Sequence, residues 1–316
     1  MAQPTIGDVH INTALSNISI AYRNPSYIAD QIFPGIPVTK QSDNYYIWTK
    51  DFWFRLYVQQ RTPGDTYPEG ALELSNTPYA ASIYHLAYPV PDENRKNSDE
   101  AIDLDTAGAE WLADQFMLNR ETNLATKIFA TGKWATDRTL VAGEQWDNFD
   151  SADSDPQTHI NTAKETIQKS TGALPNTCLM GQEVFNRVRR HPQLLDMYKH
   201  TGVPRLNAQQ VADALEVDQV IVGSAIENTA NEGATFSGGY IWGKSCLLTH
   251  VAPSPGLMKA SAGYTFVWNI DDAGLPVVVT TIREDTRDRD LHRAKHAFDQ
   301  KITATDLGYF LDAVVS

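Results

Sequence analysis

The chain has 316 residues, 42% of them hydrophobic and 10% aromatic, and carries a net charge of −13. That composition is globular rather than disordered, and the acidic balance excludes tight gripping of nucleic acid, which needs clustered Lys and Arg to neutralise phosphates. No uncharged apolar run reaches the ~20 residues of a membrane span, and Met1–Asp8 lacks the basic and apolar regions of a secretory signal. Cys178 and Cys246 form no CxxC pair. One disulfide or two reduced, buried thiols are open, and the second suits a chain made in a cytoplasm.

In chain order, residues 1–44 read as an extended segment with a short helix in Asn24–Asp30. The two prolines of Phe33-Pro34-Gly35-Ile36-Pro37-Val38 predict irregular backbone there. Residues 45–88 then hold eleven aromatics, out of 7 Trp, 13 Tyr and 11 Phe in the whole chain. They flank a turn-rich tip, Thr62–Gly70. The reading is a hairpin whose outgoing strand centres on Trp53–Val58 and whose return strand runs through Ala81–Tyr88. A two-stranded hairpin cannot bury its own faces. At ~150–250 Å² each, its aromatics seek on the order of 2,000 Å² of cover. A patch of that size points to a partner, here a second copy.

Ser98 is placed to cap a helix over 98–130, with Leu104, Ala107, Trp111, Leu118, Ala125 and Phe129 on one stripe. Gly132 ends it. Such a helix spans ~50 Å and argues for an elongated subunit. Residues 133–154 read as loop, with Trp134 and Trp146 as anchors. An α/β lobe follows over 155–280. It comprises a helix from Asp155-Pro156 to Gly172, a buried strand Asn176–Gly181, a helix Gln182–Arg190 and a helix capped by Asn207. Strands are expected at Gln219–Val222, Tyr240–Thr249, Gly263–Trp268 and Pro276–Thr281. From Ile282 on, basic residues take odd positions (Arg283, Arg287, Arg289, Arg293, Lys295) and acids even ones (Glu284, Asp288, Asp290), with Asp285 the exception. Read as one strand, this opposes a basic and an acidic face. That suits pairing between copies, or simply a solvated edge.

No nucleophile elbow, phosphate loop or dinucleotide fingerprint is present. His292 and His296, spaced i, i+4 near Asp288 and Asp290, carry the metal ligand spacing of a helix, but Arg293 and Lys295 between them oppose a cation.

The ordered set of segments resembles the major capsid proteins of tailed bacteriophages, with the Hong Kong 97 type of fold. Asn17–Tyr22 and Ile32–Val38 look like that family's N-terminal arm, and Lys40–Tyr46 like the lead into its extended loop. Val90–Asn97 resembles the run before its spine helix. Thr171-Gly172, Pro175-Asn176, Met180-Gly181 and His191-Pro192 look like its axial lobe. His296–Asp299 and Asp306–Phe310 resemble its C-terminal end. The resemblance implies an α+β fold divided into an N-terminal arm (1–44), an extended hairpin loop (45–92), a peripheral domain with the spine helix (93–150), an axial domain (151–281) and peripheral C-terminal strands (282–316).

It also implies a non-enzymatic shell subunit without cofactors. Hexamers and pentamers of the chain itself would enclose double-stranded DNA, touched weakly and without sequence preference. Portal and decoration proteins are the further partners. The arm pattern begins near residue 10 without the scaffolding segment of some relatives, so a separate scaffolding protein is expected. Assembly is expected in the bacterial host cytoplasm. Some relatives crosslink a loop lysine to a neighbour; Lys50 sits at the loop base and reads as a surface charge. The candidate contact residues are Trp53, Arg55, Tyr57 and Arg61 of the loop, set against the acidic start of a neighbour's long helix (Asp99, Glu100, Asp103, Asp105, Glu110). Arg287, Asp288, Arg289 and Asp290 form a second candidate group. The alternatives are an encapsulin-type compartment shell and a hydrolase built on His292 and His296.

Overall fold

A computed structural model describes residues 24, 26–48, 50–64, 66–67, 69–70, 72–97, 103–199, 205–254, 259–269 and 278–316. Most of the expected N-terminal arm lies outside these residues, as do Ser98, Asp99 and Glu100. The described chain opens with α1 (Ala29–Ile32), β1 (Gly35–Val38), β2 (Ser42–Trp48), α2 (Lys50–Trp53), β3 (Leu74–Ala80) and β4 (Ser82–Pro91). It continues through α3 (Asp92–Asn97), the long α4 (Leu104–Ile128), β5 (Thr136–Thr139), α5 (Pro156–Thr171), β6 (Thr177–Gly181), α6 (Gln182–Val188) and α7 (Pro192–Met197). Next come α8 (Ala208–Ala214), β7 (Gln219–Gly223), β8 (Ile226–Asn228), β9 (Gly238–Tyr240) and β10 (Cys246–Thr249). It closes with β11 (Gly263–Trp268), β12 (Val278–Glu284), β13 (Arg289–Ile302) and β14 (Gly308–Asp312).

The α/β sheet runs β5-β14-β10-β6-β7. Its central strands β6 and β10 are buried at every position. Covered on both faces, they read as unbroken apolar runs rather than alternating ones. The helices around it start and stop where local chemistry dictates. Asp155 accepts from the Thr158 amide at 2.8 Å, Pro156 takes the first turn, and Gly172 closes α5 in a left-handed conformation with φ 71°. Asn207 and Gln210 form a reciprocal capping box on α8. Trp146, Trp242, Phe310, Leu179 and Met180 fill the main core. Cys178 and Cys246 are free and buried there, their sulfurs 3.4 Å apart.

The second sheet is built on β13, which pairs with β4 and β12 over its first part and with β11 over its end. β1 lies parallel to β11 at the sheet's edge. α4 joins the two sheets. Its first half lays Leu112 and Phe116 on Ala294 of β13, and its second half puts Leu124 and Ile128 into the main core.

Several expectations need correction. Gly35–Val38 is a strand despite Pro37, because an edge strand tolerates the missing donor. Residues 53–58 are not a strand. The outgoing strand is the earlier β2, which pairs with β3 from Ser42↔Ala80 to Trp48↔Leu74. A short helix follows, and among the described residues of 54–73 none joins a ladder; Pro63 lacks an amide donor. Ala81–Tyr88 belongs to β4 and pairs with β13. The long helix begins at Leu104, capped by Asp103, so its 25 residues span about 37 Å. Its buried apolar face is Leu112, Phe116, Leu124, Ala125 and Ile128, so Ala125 of the expected stripe is buried while Trp111 is 40% exposed. The stripe differs because one end faces a sheet and the other the main core. Residues 282–290 are not one strand but the β12–β13 hairpin, turned at Asp288 with φ 44°, a conformation that Asp tolerates in turns. β11, expected with the α/β strands, joins the second sheet, and β14 joins the α/β sheet.

Candidate inter-subunit surface

The loop between α2 and β3 is tied down at its base. Lys50 pairs with Asp306, and the Phe54 ring lies where a Cβ on Gly172 would come within 3.2 Å. Farther out, the loop packs on itself. Tyr57 rests against Gly70, and the Arg61 guanidinium lies 4.9 Å over the Tyr67 ring and donates to its hydroxyl at 3.0 Å. These contacts leave Leu56 86%, Val58 81%, Tyr67 76%, Phe54 66% and Trp53 52% exposed. An apolar surface of this kind exceeds what a soluble monomer ordinarily shows to water.

Of the expected contact residues, Trp53 and Arg55 are exposed and Tyr57 is half-buried. Arg61 is engaged with Tyr67. Asp103 accepts from the Asp105 and Thr106 amides as the helix cap. Arg287 and Asp288 stand exposed in the hairpin turn. Arg289 donates to Glu284 at 2.7 Å, and Asp290 accepts Arg95 at 2.7 Å. Arg289 and Asp290 thus pair within the subunit, because the hairpin folds Arg289 back onto Glu284.

These pairs belong to a larger network that local spacing did not reveal. Arg283 grips both oxygens of Asp92 at 2.6 Å. That bond leads the factors holding the Asp92 carboxyl below its ordinary range. Arg95 reaches Asp105 at 2.7 Å. Burial pulls Asp105 upward, but Arg95 and His292 outweigh it and hold the carboxyl down. His292 bridges Asp105 at 2.7 Å and Thr281 at 2.9 Å. The network locks the β12–β13 hairpin onto α3 and the start of α4.

His292 and His296 sit on a strand, where four residues span ~13 Å, so the helical ligand spacing does not apply. Among the described residues, no group of three or more His, Cys, Asp and Glu side chains could hold a metal. His296 instead lies between Phe116 and Phe298 with both ring nitrogens unpartnered. Burial, with Arg120 adding to it, pushes its pKa from 6.5 down to about 4. The unfolded chain therefore binds this proton first, and stability is full above pH 6.5 and lost as pH falls toward 4. At ~1.4 kcal/mol per pH unit, the loss is about 3 kcal/mol. His296→Leu is expected to flatten the dependence of the urea midpoint between pH 7 and pH 4.5; an unchanged slope contradicts this assignment. Glu121, raised by burial, acts in the opposite sense and favours the fold as pH falls.

No protein-family model matches the chain. It is 26% identical over 315 residues to the major capsid protein of the Burkholderia phage BcepMu, covering 96% of each chain. A phage-related protein of Bordetella bronchiseptica superposes with a TM-score of 0.70 at 24% identity, covering 96% of this chain and 97% of that one. The capsid of the cyanophage P-SCSP1u gives 0.66 at 10% identity, covering 96% and 93%. The SrpI encapsulin of Synechococcus elongatus gives 0.53 at 10% identity, covering 99% and 96%. The fold is the Hong Kong 97 type of phage capsids.

Proposed function

We propose that this chain is the major capsid protein of a tailed bacteriophage, a shell subunit that assembles with copies of itself around double-stranded DNA. The observation that carries this reading is similarity over 96% of the chain to a phage major capsid protein, supported by fold likeness to two phage capsids with TM-scores of 0.66 and 0.60. The mechanism is mutual burial. The exposed apolar side chains of residues 53–74 gain ~25 cal/mol for each Å² that a neighbour covers, while the base at Lys50–Asp306 holds the loop to its own lobe. Arg287 and Asp288, exposed in the hairpin turn, form the second contact group. The chain carries no chemistry of its own in this reading. A separate scaffolding protein, a portal and decoration proteins are its partners during assembly in the host cytoplasm.

The net charge of −13 fits a wall that repels rather than holds packed DNA. An encapsulin-type compartment is the second reading, carried by the weaker encapsulin likeness. Purified particles separate the two: nuclease-protected DNA is expected inside the particles of the phage, and a co-purifying enzyme in its place overturns the phage reading.

A further inference from the structure

Cations are scarce in this chain and unevenly spread. Residues 185–206 hold five of its 26 Lys and Arg, namely Arg187, Arg189, Arg190, Lys199 and Arg205, but only Asp196 of its 39 Asp and Glu. The stretch is basic inside a chain whose net charge is −13. The fold then gathers these cations from separate segments. The end of α6 supplies Arg187, and the Arg190 amide donates to the Arg187 carbonyl at 3.0 Å. The Leu206 amide donates to the Arg189 carbonyl at 3.1 Å and brings Arg205 alongside.

Arg187, Arg190 and Arg205 are exposed, and among the described residues none of their side chains joins an ion pair. Asp147 lies near Arg187 but accepts the Ser316 amide at 3.1 Å. Arg189 is half-buried, its guanidinium 5.2 Å over the Phe185 ring and its Nε buried without a partner. Lys199 is paired with Asp196 at 3.2 Å. Cations at the end of a helix ordinarily complement its carbonyl groups. That accounts for the arginines at 187–190 but not for Arg205, which arrives from beyond α7.

We infer that Arg187, Arg190 and Arg205 form a phosphate-binding patch whose ligand is duplex DNA. A guanidinium presents a planar fork of donors that fits a phosphate, and here three of them stand without carboxylate partners. Among the described residues of 185–206, Met197 is the one large apolar side chain exposed. A contact between copies needs an apolar core, so the patch suits a polyanion better than a second subunit. The inference rests on the shell reading and deepens it. The acidic remainder of the chain repels the polymer, and the patch gives each subunit one place to touch it.

The test is fluorescence anisotropy of a short labelled duplex titrated with the full-length protein over a range of salt. Three phosphate contacts give a slope of about −2.7 in log affinity against log salt, on the order of a fortyfold loss between about 50 and 200 mM. Arg187→Gln with Arg190→Gln and Arg205→Gln is expected to remove that slope and to weaken binding about tenfold or more at low salt. Loss of three exposed cations elsewhere, by Lys40→Gln with Lys133→Gln and Lys169→Gln, is expected to leave both in place. If the patch variant melts lower than wild type, Arg187→Lys with Arg190→Lys and Arg205→Lys replaces it; the slope is then expected to stay, and its loss contradicts the patch. Wild-type protein without salt-dependent binding, a patch variant that keeps the slope, or a lysine control that loses as much overturns the proposal. Light scattering of the same proteins follows shell assembly separately. A patch variant that binds DNA normally but no longer assembles assigns these arginines to a contact between copies and also overturns it. Wild-type protein that shows the slope without ever assembling removes the shell reading and leaves the DNA site standing.

Discussion

Gly181→Ala is expected to abolish the folded subunit. Gly181 ends β6, paired in register with Gly223 of β7. Its backbone conformation is ordinary, with φ −65°, so the constraint is space. A Cβ there would lie 1.8 Å from the Gly243 carbonyl oxygen and 2.5 Å from that of Trp242. Both are backbone atoms, and no rotamer change relieves the clash. The 242–243 segment lies over both glycines, with the Trp242 ring within 2.2 Å of where a Cβ on Gly223 would sit. Moving it displaces a fully buried tryptophan. Overpacking with forced backbone movement belongs to the severe class, about 4 kcal/mol or more, a large share of the 5–15 kcal/mol typical of a domain. The control is Gly143→Ala, where nothing lies within 4 Å. Soluble yield and far-UV circular dichroism are expected to be lost for the first and retained for the second. A folded Gly181→Ala protein contradicts this packing.

Glu121→Ala is expected to destabilise the subunit nearly as much, by a different route. Glu121 is fully buried in the middle of α4. Its carboxylate accepts the Ile28 amide at 3.0 Å, the Ala29 amide at 2.8 Å and the Trp242 indole N–H at 2.6 Å. One side chain thus ties the α1 segment, the long helix and the α/β lobe together. The same α1 segment is pinned again where Asn24 exchanges hydrogen bonds with the Ile226 backbone at 3.1 and 2.9 Å. Removing the carboxylate strands three buried donors, at ~1–3 kcal/mol each, and a total near 3–5 kcal/mol is expected. Glu121→Gln keeps the volume but turns an amide NH₂ toward N–H donors, and about 1–3 kcal/mol is expected. Urea titration of both variants checks the ranking. A glutamine variant as stable as wild type contradicts the latch.

What was legible in the sequence was local. Asp155-Pro156, Gly172 and Asn207 mark helix ends through bonds spanning three or four residues, and the apolar run Cys178-Leu179-Met180 marks a strand buried on both faces. What was hidden depends on distant partners. Pro37 sits in a strand because β1 finds an edge beside β11. The loop register slipped because the aromatics suggested strands, whereas the ladder runs through the more polar Ser42–Asn44 start of β2. Glu121 reads as an ordinary surface acid until residues 93 and 121 positions away close on it. The alternating charges after Ile282 looked like two faces of one strand, and Asp288 turned them into a hairpin with its own ion pairs. The exposed loop was legible as a surface in need of cover, from the aromatics crowded into residues 45–88.

The central claim is that this chain closes a shell with copies of itself, each loop covered by a neighbour. Cryo-electron microscopy of the purified full-length protein, with a scaffolding partner co-expressed, tests it most directly. The expected result is closed icosahedral particles built of hexamers and pentamers, with residues 54–73 of each copy buried on an adjacent one. A population of monomers, or particles in which that loop points into solvent, contradicts it.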